Sequence, residues 1–209
     1  SKPSLNYWQD AWLRVKKNKG AIVSLVILAI LAIMSLIGPH MNDYGYNDQN
    51  LKHNNLPPRI QGLENVSWLP FDGELTRKNG DSYNAYEQKN VENYYWLGTD
   101  SLGRDIFTRV WKGTQVSLYI AFLAAAIDMV IGVLYGAISG FVGGRTDNIM
   151  QRITEILVGI PNLVVVILMI IVLDPGILSI TIALTITGWV GMARVVRAQV
   201  LKLKQQEYI

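Results

Sequence analysis

The chain has 209 residues, half of them hydrophobic and 17% charged, with a formal net charge of +3 and no cysteine. Soluble domains of this length carry charge on about a quarter of their residues. Of 19 basic and 16 acidic side chains, only Asp128 and Glu155 fall within the four apolar stretches 21–38, 116–142, 153–173 and 177–193. Membrane helices exclude charge because hydrocarbon cannot solvate it. The chain therefore reads as an all-α integral membrane protein, a polytopic helix bundle. Collagen, coiled coil, disordered chain and disulfide-stapled domain are excluded. The lack of cysteine excludes thiol catalysis and zinc–thiolate or iron–sulfur ligation, and the small net charge gives no reason to expect nucleic acid.

The basic tail 1–20 leads into the first span, 21–38, which Pro39 stops. No small-residue cleavage site follows it, so it reads as an anchor and not a signal peptide. The loop 39–115 comes next. Its first part is rich in Asn, Asp, Gly, Pro and Tyr; Asn79-Gly80 suits a hairpin turn, and His40 and His53 read as solvated side chains with no metal pattern. Its second part predicts an amphipathic helix over about 101–113, capped by Asp100 or Ser101. Ile106, Phe107, Val110 and Trp111 form one apolar stripe, and Tyr94, Tyr95 and Trp96 precede it. That pattern reads as a helix in the membrane interface, the alternative being a soluble helix packed on the loop.

The second span, 116–142, is long enough to tilt or project beyond the bilayer. Asp128, Gly132, Gly136 and Gly140 recur at steps of four and share one face, and the glycines predict close helix packing. Asp128 on that line reads either as a pathway or gating carboxylate or as a carboxylate bonded to Ser, Thr or backbone of a neighbouring helix; the second is favoured. A short loop, 143–152, leads to the third span, 153–173, where Glu155 can pair with Arg152 at i, i+3. Gly159, Pro161 and Asn162 predict a kink there. The turn Asp174-Pro175-Gly176 makes the third and fourth spans antiparallel neighbours. The fourth span, 177–193, continues as a helix into 194–209, and its abrupt end at Ile209 suggests a truncated protein.

Lys and Arg set the orientation. The tail 1–20, the loop 143–152 and the stretch 194–209 hold eleven of them, whereas 39–115 holds eight, outnumbered by ten acids. The positive-inside rule predicts that the N-terminus, the 143–152 loop and residue 209 face the cytoplasm, with 39–115 extracytoplasmic. No phosphate-binding glycine loop, Ser/His/Asp arrangement or paired carboxylates at helical spacing occur, which predicts a non-enzyme that binds no cofactor or metal.

The run Leu97-Gly98-Thr99-Asp100-Ser101-Leu102-Gly103-Arg104-Asp105-Ile106-Phe107-Thr108-Arg109 resembles the signature of C-type permease subunits of dipeptide/oligopeptide ABC importers. Gly140-Phe141, Gly144-Arg145-Thr146-Asp147, Thr187-Gly188-Trp189 and Arg197-Ala198-Gln199-Val200 are similar to the same family in the same order. The resemblance covers about 97–209. It implies a type I importer permease with six membrane helices, four of them here. It also implies a homologous second permease, two cytoplasmic ATPase subunits that bind ATP and Mg, an extracellular peptide-binding lipoprotein and a peptide substrate moved by alternating access. Gly98, Thr99, Asp100, Gly103, Arg104 and Asp105 would be signature residues; Arg197, Gln199 and Glu207 would lie on the side coupled to the ATPases. A nickel or small-solute permease is the related alternative. A channel or a membrane-anchored binding module is the alternative from another class.

Overall fold

The computed structural model describes Ser4 and residues 6–206 and divides into two compact units, 1–115 and 116–209. In the first, helix α1 (Tyr7–Lys17) is followed by α2 (Lys19–Ile37), with Asn18 between them in extended conformation. Asn18 ends α1 and its side chain accepts the Ala21 N–H at 3.2 Å, so it caps α2. The N-terminal tail is thus mostly helical. From Ala21 on α2 is apolar around its circumference and, Ser35 apart, most of its side chains stay exposed, as a helix in lipid requires.

Beyond a 3-10 turn at Gly38–His40 the 39–105 segment has a small core of its own. Leu56, Ala85, Tyr86, Val91 and Tyr95 are buried, with Tyr44 and Tyr83 packed on them. A hairpin of β1 (Glu74–Thr76) and β2 (Ser82–Asn84) is closed by residues 77–81, with Gly80 at φ +93. A short helix α3 (Ala85–Lys89) places Tyr86 in the core, where its hydroxyl donates to the Pro57 carbonyl at 2.6 Å. Arg59 lies over the rings of Tyr86 and Tyr94, 4.8 and 4.3 Å from their centroids, the geometry of cation–π attraction.

Helix α4 (Ile106–Val142) is one unbroken helix of 37 residues. The amphipathic segment expected at 101–113 is therefore no separate interfacial helix: 101–105 is turn, and 106–113 is the first part of α4. The cap is also different. Asp105, and neither Asp100 nor Ser101, receives the Thr108 N–H.

In the second unit α5 (Gly144–Val158) occupies the expected 143–152 loop. Gly143 and Gly144, both at positive φ, separate it from α4 by a tight corner. α5 and α6 (Asn162–Leu173) meet at an 80° bend, so the third span is not one helix. Pro161 supplies no N–H and disfavours helix at Ile160. α6 has 12 residues, about 18 Å of helix against a hydrocarbon core of about 30 Å. Helix α7 (Ile177–Gln205) carries the fourth span and its extension without a break. Among the described residues three helices are long and apolar enough to cross a membrane, and four spans result if the bent α5–α6 pair counts as one.

Candidate functional site

The signature residues form a tight structural knot. Gly98 and Gly103 sit at φ +79 and +73, where a side chain is strained, and an added Cβ would strike the Leu56 and Asn50 carbonyls respectively. Glycine is required at both places. The Thr99 hydroxyl accepts the Leu56 N–H at 2.8 Å and donates to the His53 carbonyl. The Asp100 carboxylate accepts the N–H groups of Leu102 and Arg104, each at 2.9 Å, and the Arg104 guanidinium at 2.7 Å. Burial pushes its pKa up, but these bonds outweigh that and hold it below the usual carboxylate range. Asp105 is 1% exposed. It accepts from Asn42 at 2.8 Å and from the Thr108 hydroxyl at 2.7 Å, tying residue 42 to the start of α4. Five of the six signature residues thus fasten the 42–56 segment to the α4 N-terminus, and the sixth, Arg104, braces Asp100 within the turn.

His53 is not a freely solvated side chain. Its Nδ1 lies 2.6 Å from the Tyr95 hydroxyl, and Tyr95 stacks on Tyr44 at 4.5 Å. Burial first, then the Tyr44 and Asp105 charges, push the Tyr95 phenol up to about 12. Burial and the nearby Lys52 and Lys89 lower the His53 pKa. His40 is exposed, and among the described residues no cluster of metal-ligating side chains occurs.

In the second unit the glycine line of α4 lies against α7. Cβ atoms added at Gly132, Gly136 and Gly140 would press on the carbonyls of Trp189, Ala193 and Arg197, at 2.9 and 3.1 Å for the first and last. Each step of four on α4 meets a step of four on α7 in the same direction, so the two helices run parallel. α6 and α7 form a hairpin, and Asn162 accepts the Thr187 hydroxyl at 2.8 Å across it. A cavity of about 370 Å³ opens at the bend, lined by Leu157, Pro161, Asn162 and Thr187.

Asp128 also sits on this seam. An added Cβ at Gly188 would meet its carboxylate at 3.0 Å. The hydrogen bond expected from a neighbouring Ser, Thr or backbone group is not made by its buried Oδ1, which has no partner among the described residues.

At the far end of the seam a polar clamp joins three helices. Arg197 of α7 grips Asp147 of α5 with two bonds, Nε at 2.8 Å and a terminal nitrogen at 2.7 Å. The Ser139 hydroxyl of α4, fully buried, donates to the same carboxylate and accepts Gln151 at 3.1 Å. Lys204 donates to the Phe141 carbonyl at 3.0 Å, satisfying an open end of α4. Arg197, expected on the side coupled to the ATPases, spends its guanidinium inside the chain, its side chain 30% exposed. Gln199 is exposed, and Glu207 lies outside the described residues. Glu155 pairs with Arg152 at 3.6 Å on an open surface. The sequence carries no local sign of this role for Asp147 or Ser139. Asp147 stands in the Gly144–Asp147 signature, but nothing local links it to an arginine fifty positions on.

Two family descriptions match the chain. Residues 6–58 match the N-terminal TM domain of oligopeptide transport permease C, and residues 132–209 match the binding-protein-dependent transport system inner membrane component. The dipeptide transport system permease protein DppC of Bacillus subtilis is 44% identical over 208 residues, covering all of this chain and 55% of that protein. The oligopeptide transport system permease protein OppC of the same organism is 43% identical, again over the whole chain and 58% of the relative. Escherichia coli OppC is 32% identical over 97% of the chain and 57% of its own length. The chain thus spans a little over half the length of these relatives.

Proposed function

Because the chain belongs to the family of binding-protein-dependent transport system inner membrane components, we propose that it forms part of a permease subunit importing dipeptides or oligopeptides across the plasma membrane. The observation that carries this reading is the 44% identity to a dipeptide permease along the entire chain. Transport runs by alternating access between this subunit and a homologous second permease. A binding lipoprotein delivers peptide outside, and two cytoplasmic ATPases bind ATP and supply the work, so this chain performs no chemistry. The packed α4–α7 seam suits rigid-body rocking, because a glycine-lined interface holds two helices at fixed register. The Asp147–Arg197–Ser139 clamp extends that rigidity to α5, at the end from which α7 projects toward the ATPases. Arg197 acts there by positioning, and Gln199 is the exposed candidate for contact.

The test is uptake of a labelled dipeptide and of nickel by a strain lacking the gene and complemented with its full-length form. Restored peptide uptake with unchanged nickel uptake supports the proposal. Restored nickel uptake alone overturns it in favour of the small-solute alternative. Cysteine in place of Gln199 should crosslink to an ATPase subunit in the assembled complex; its failure to do so would remove the coupling role from this surface.

A further inference from the structure

We propose that α1 is an interfacial anchor that lies on an anionic lipid surface beside the first span. The proposal concerns the membrane alone and does not depend on what the protein transports. α1 has its own start signal, a capping box in which Asn6 accepts the Gln9 N–H at 2.8 Å and Gln9 reaches back to the Asn6 N–H. Trp8, Ala11, Trp12 and Val15 recur at i, i+3, i+4 and i+7, one stripe along one face. Its two tryptophans are uncovered, Trp8 78% and Trp12 50% exposed, while Ala11 and Val15 are half-buried. Tyr7 stands at its edge, its ring 5.6 Å from that of Trp8.

The charges fit the same surface. At 100° per residue, Arg14 and Lys16 border the apolar stripe on its two sides. Lys17 and Lys19 follow directly. The Lys16 Nζ lies over the Trp12 ring, 5.3 Å from its centroid, so a cation stands at the edge of the stripe. The one acid of α1, Asp10, is paired with Arg14 at 2.9 Å. Four basic residues within six positions, next to a span, match the pattern that attracts anionic headgroups.

Position supplies the last element. The extended backbone of Asn18 ends α1 one residue before α2 starts at Lys19, and the apolar run follows from Ala21. The tryptophan stripe therefore sits at the depth where a bilayer passes from acyl chains to headgroups, the depth that Trp and Tyr favour. An aromatic stripe flanked by cations and continuous with a lipid-embedded helix fits a lipid surface; a soluble partner would have no need of the flanking cations at that depth.

The experiment uses the full-length subunit with any native cysteine removed; the 209 residues here contribute none. Single cysteines replace Ala11 or Val15 on the stripe, and Gln9 or Lys17 off it, and each carries a polarity-sensitive fluorophore. The subunit is reconstituted in vesicles of phosphatidylcholine and phosphatidylglycerol with brominated acyl chains on one lipid at a time. Quenching at 11 and 15 well above that at 9 and 17 is expected, with brominated phosphatidylglycerol the stronger quencher. In the variant Arg14→Gln, Lys16→Gln, Lys19→Gln that lipid preference should disappear while the 11/15 pattern remains. Equal quenching at all four sites overturns the anchor. A blue-shifted but unquenched label at 11 and 15 overturns it in favour of a covering protein. A wild-type pattern with no phosphatidylglycerol preference overturns the anionic part.

Discussion

Arg197 and Asp147 show how much one side chain can hold. The guanidinium is planar and its fork matches the carboxylate at two points, which lysine cannot reproduce. Arg197→Ala should leave a half-buried carboxylate with only the Ser139 hydroxyl, at a cost of about 2 kcal/mol. Arg197→Lys should recover part of that. Thermal unfolding in detergent of both single variants, of Asp147→Asn and of the double variant measures the pair. If the losses of Arg197→Ala and Asp147→Asn simply add, the clamp is not a coupled unit.

His53 adds a pH dependence in the other unit. Its folded pKa lies below the ordinary 6.5, chiefly through burial. Folding therefore favours the neutral ring, and the unfolded chain takes up the proton first as the medium is acidified. Stability is complete above 6.5 and falls as pH drops from there toward the folded pKa. Hydrogen exchange at the amides of 42–105, followed from pH 7.5 to 5, should show protection lost on acidification, and His53→Gln should flatten the profile. A wild-type profile already flat would remove this role. Neither residue's partner is legible in the sequence. Arg197 is expected on the ATPase-coupled side because it opens the family-like run 197–200, and His53 reads as solvated because its loop is polar. In both cases the answer depends on a residue more than forty positions away, at Asp147 and Tyr95.

At the scale of elements the sequence was far more readable, because helix periodicity and glycine spacing are local. The line Gly132, Gly136, Gly140 foretells a packed seam, and a seam is what meets α7. Substituting valine at Gly136 should force α7 away, since the Ala193 carbonyl occupies that space; overpacking of this kind costs about 2 kcal/mol. Gly113 has open space around it, so Gly113→Ala should be neutral or gain up to about 1 kcal/mol from helix propensity. Apparent melting temperatures of the purified subunit compare the two, and a Gly136→Val as stable as the wild type would mean that the seam is loose. Structure and sequence pattern part where backbone conformation overrides side-chain pattern. Gly98 and Gly103 at positive φ keep 98–105 in a knot that a helix pattern cannot reveal, and α4 starts only at Ile106. Gly143 and Gly144 turn so tightly that the expected loop becomes the first turns of α5. Pro161 foretells a kink, and the structure carries it to a break.

For the whole molecule the open choice is between three crossings and four, and it turns on the bent α5–α6 pair. α4 and α7 run parallel along their glycine seam, while α6 and α7 are hairpin partners. Two parallel spans in sequence require the chain between them to cross back once, and α5–α6 is the only stretch there to do it. With four crossings, Arg194, Arg197, Lys202 and Lys204 stand on the same side as the basic tail, as the positive-inside rule prefers. With three, those four would face outward and α7 would oppose α4. Single cysteines at Lys17, Lys78 and Gln199 in intact cells, treated with an impermeant maleimide, separate the cases. Four crossings predict labelling at Lys78 alone until the cells are permeabilised. Labelling of Gln199 from outside with Lys17 protected would mean that α5–α6 dips in and returns on the same side. The coupling surface proposed at Gln199 would then be on the wrong face of the membrane.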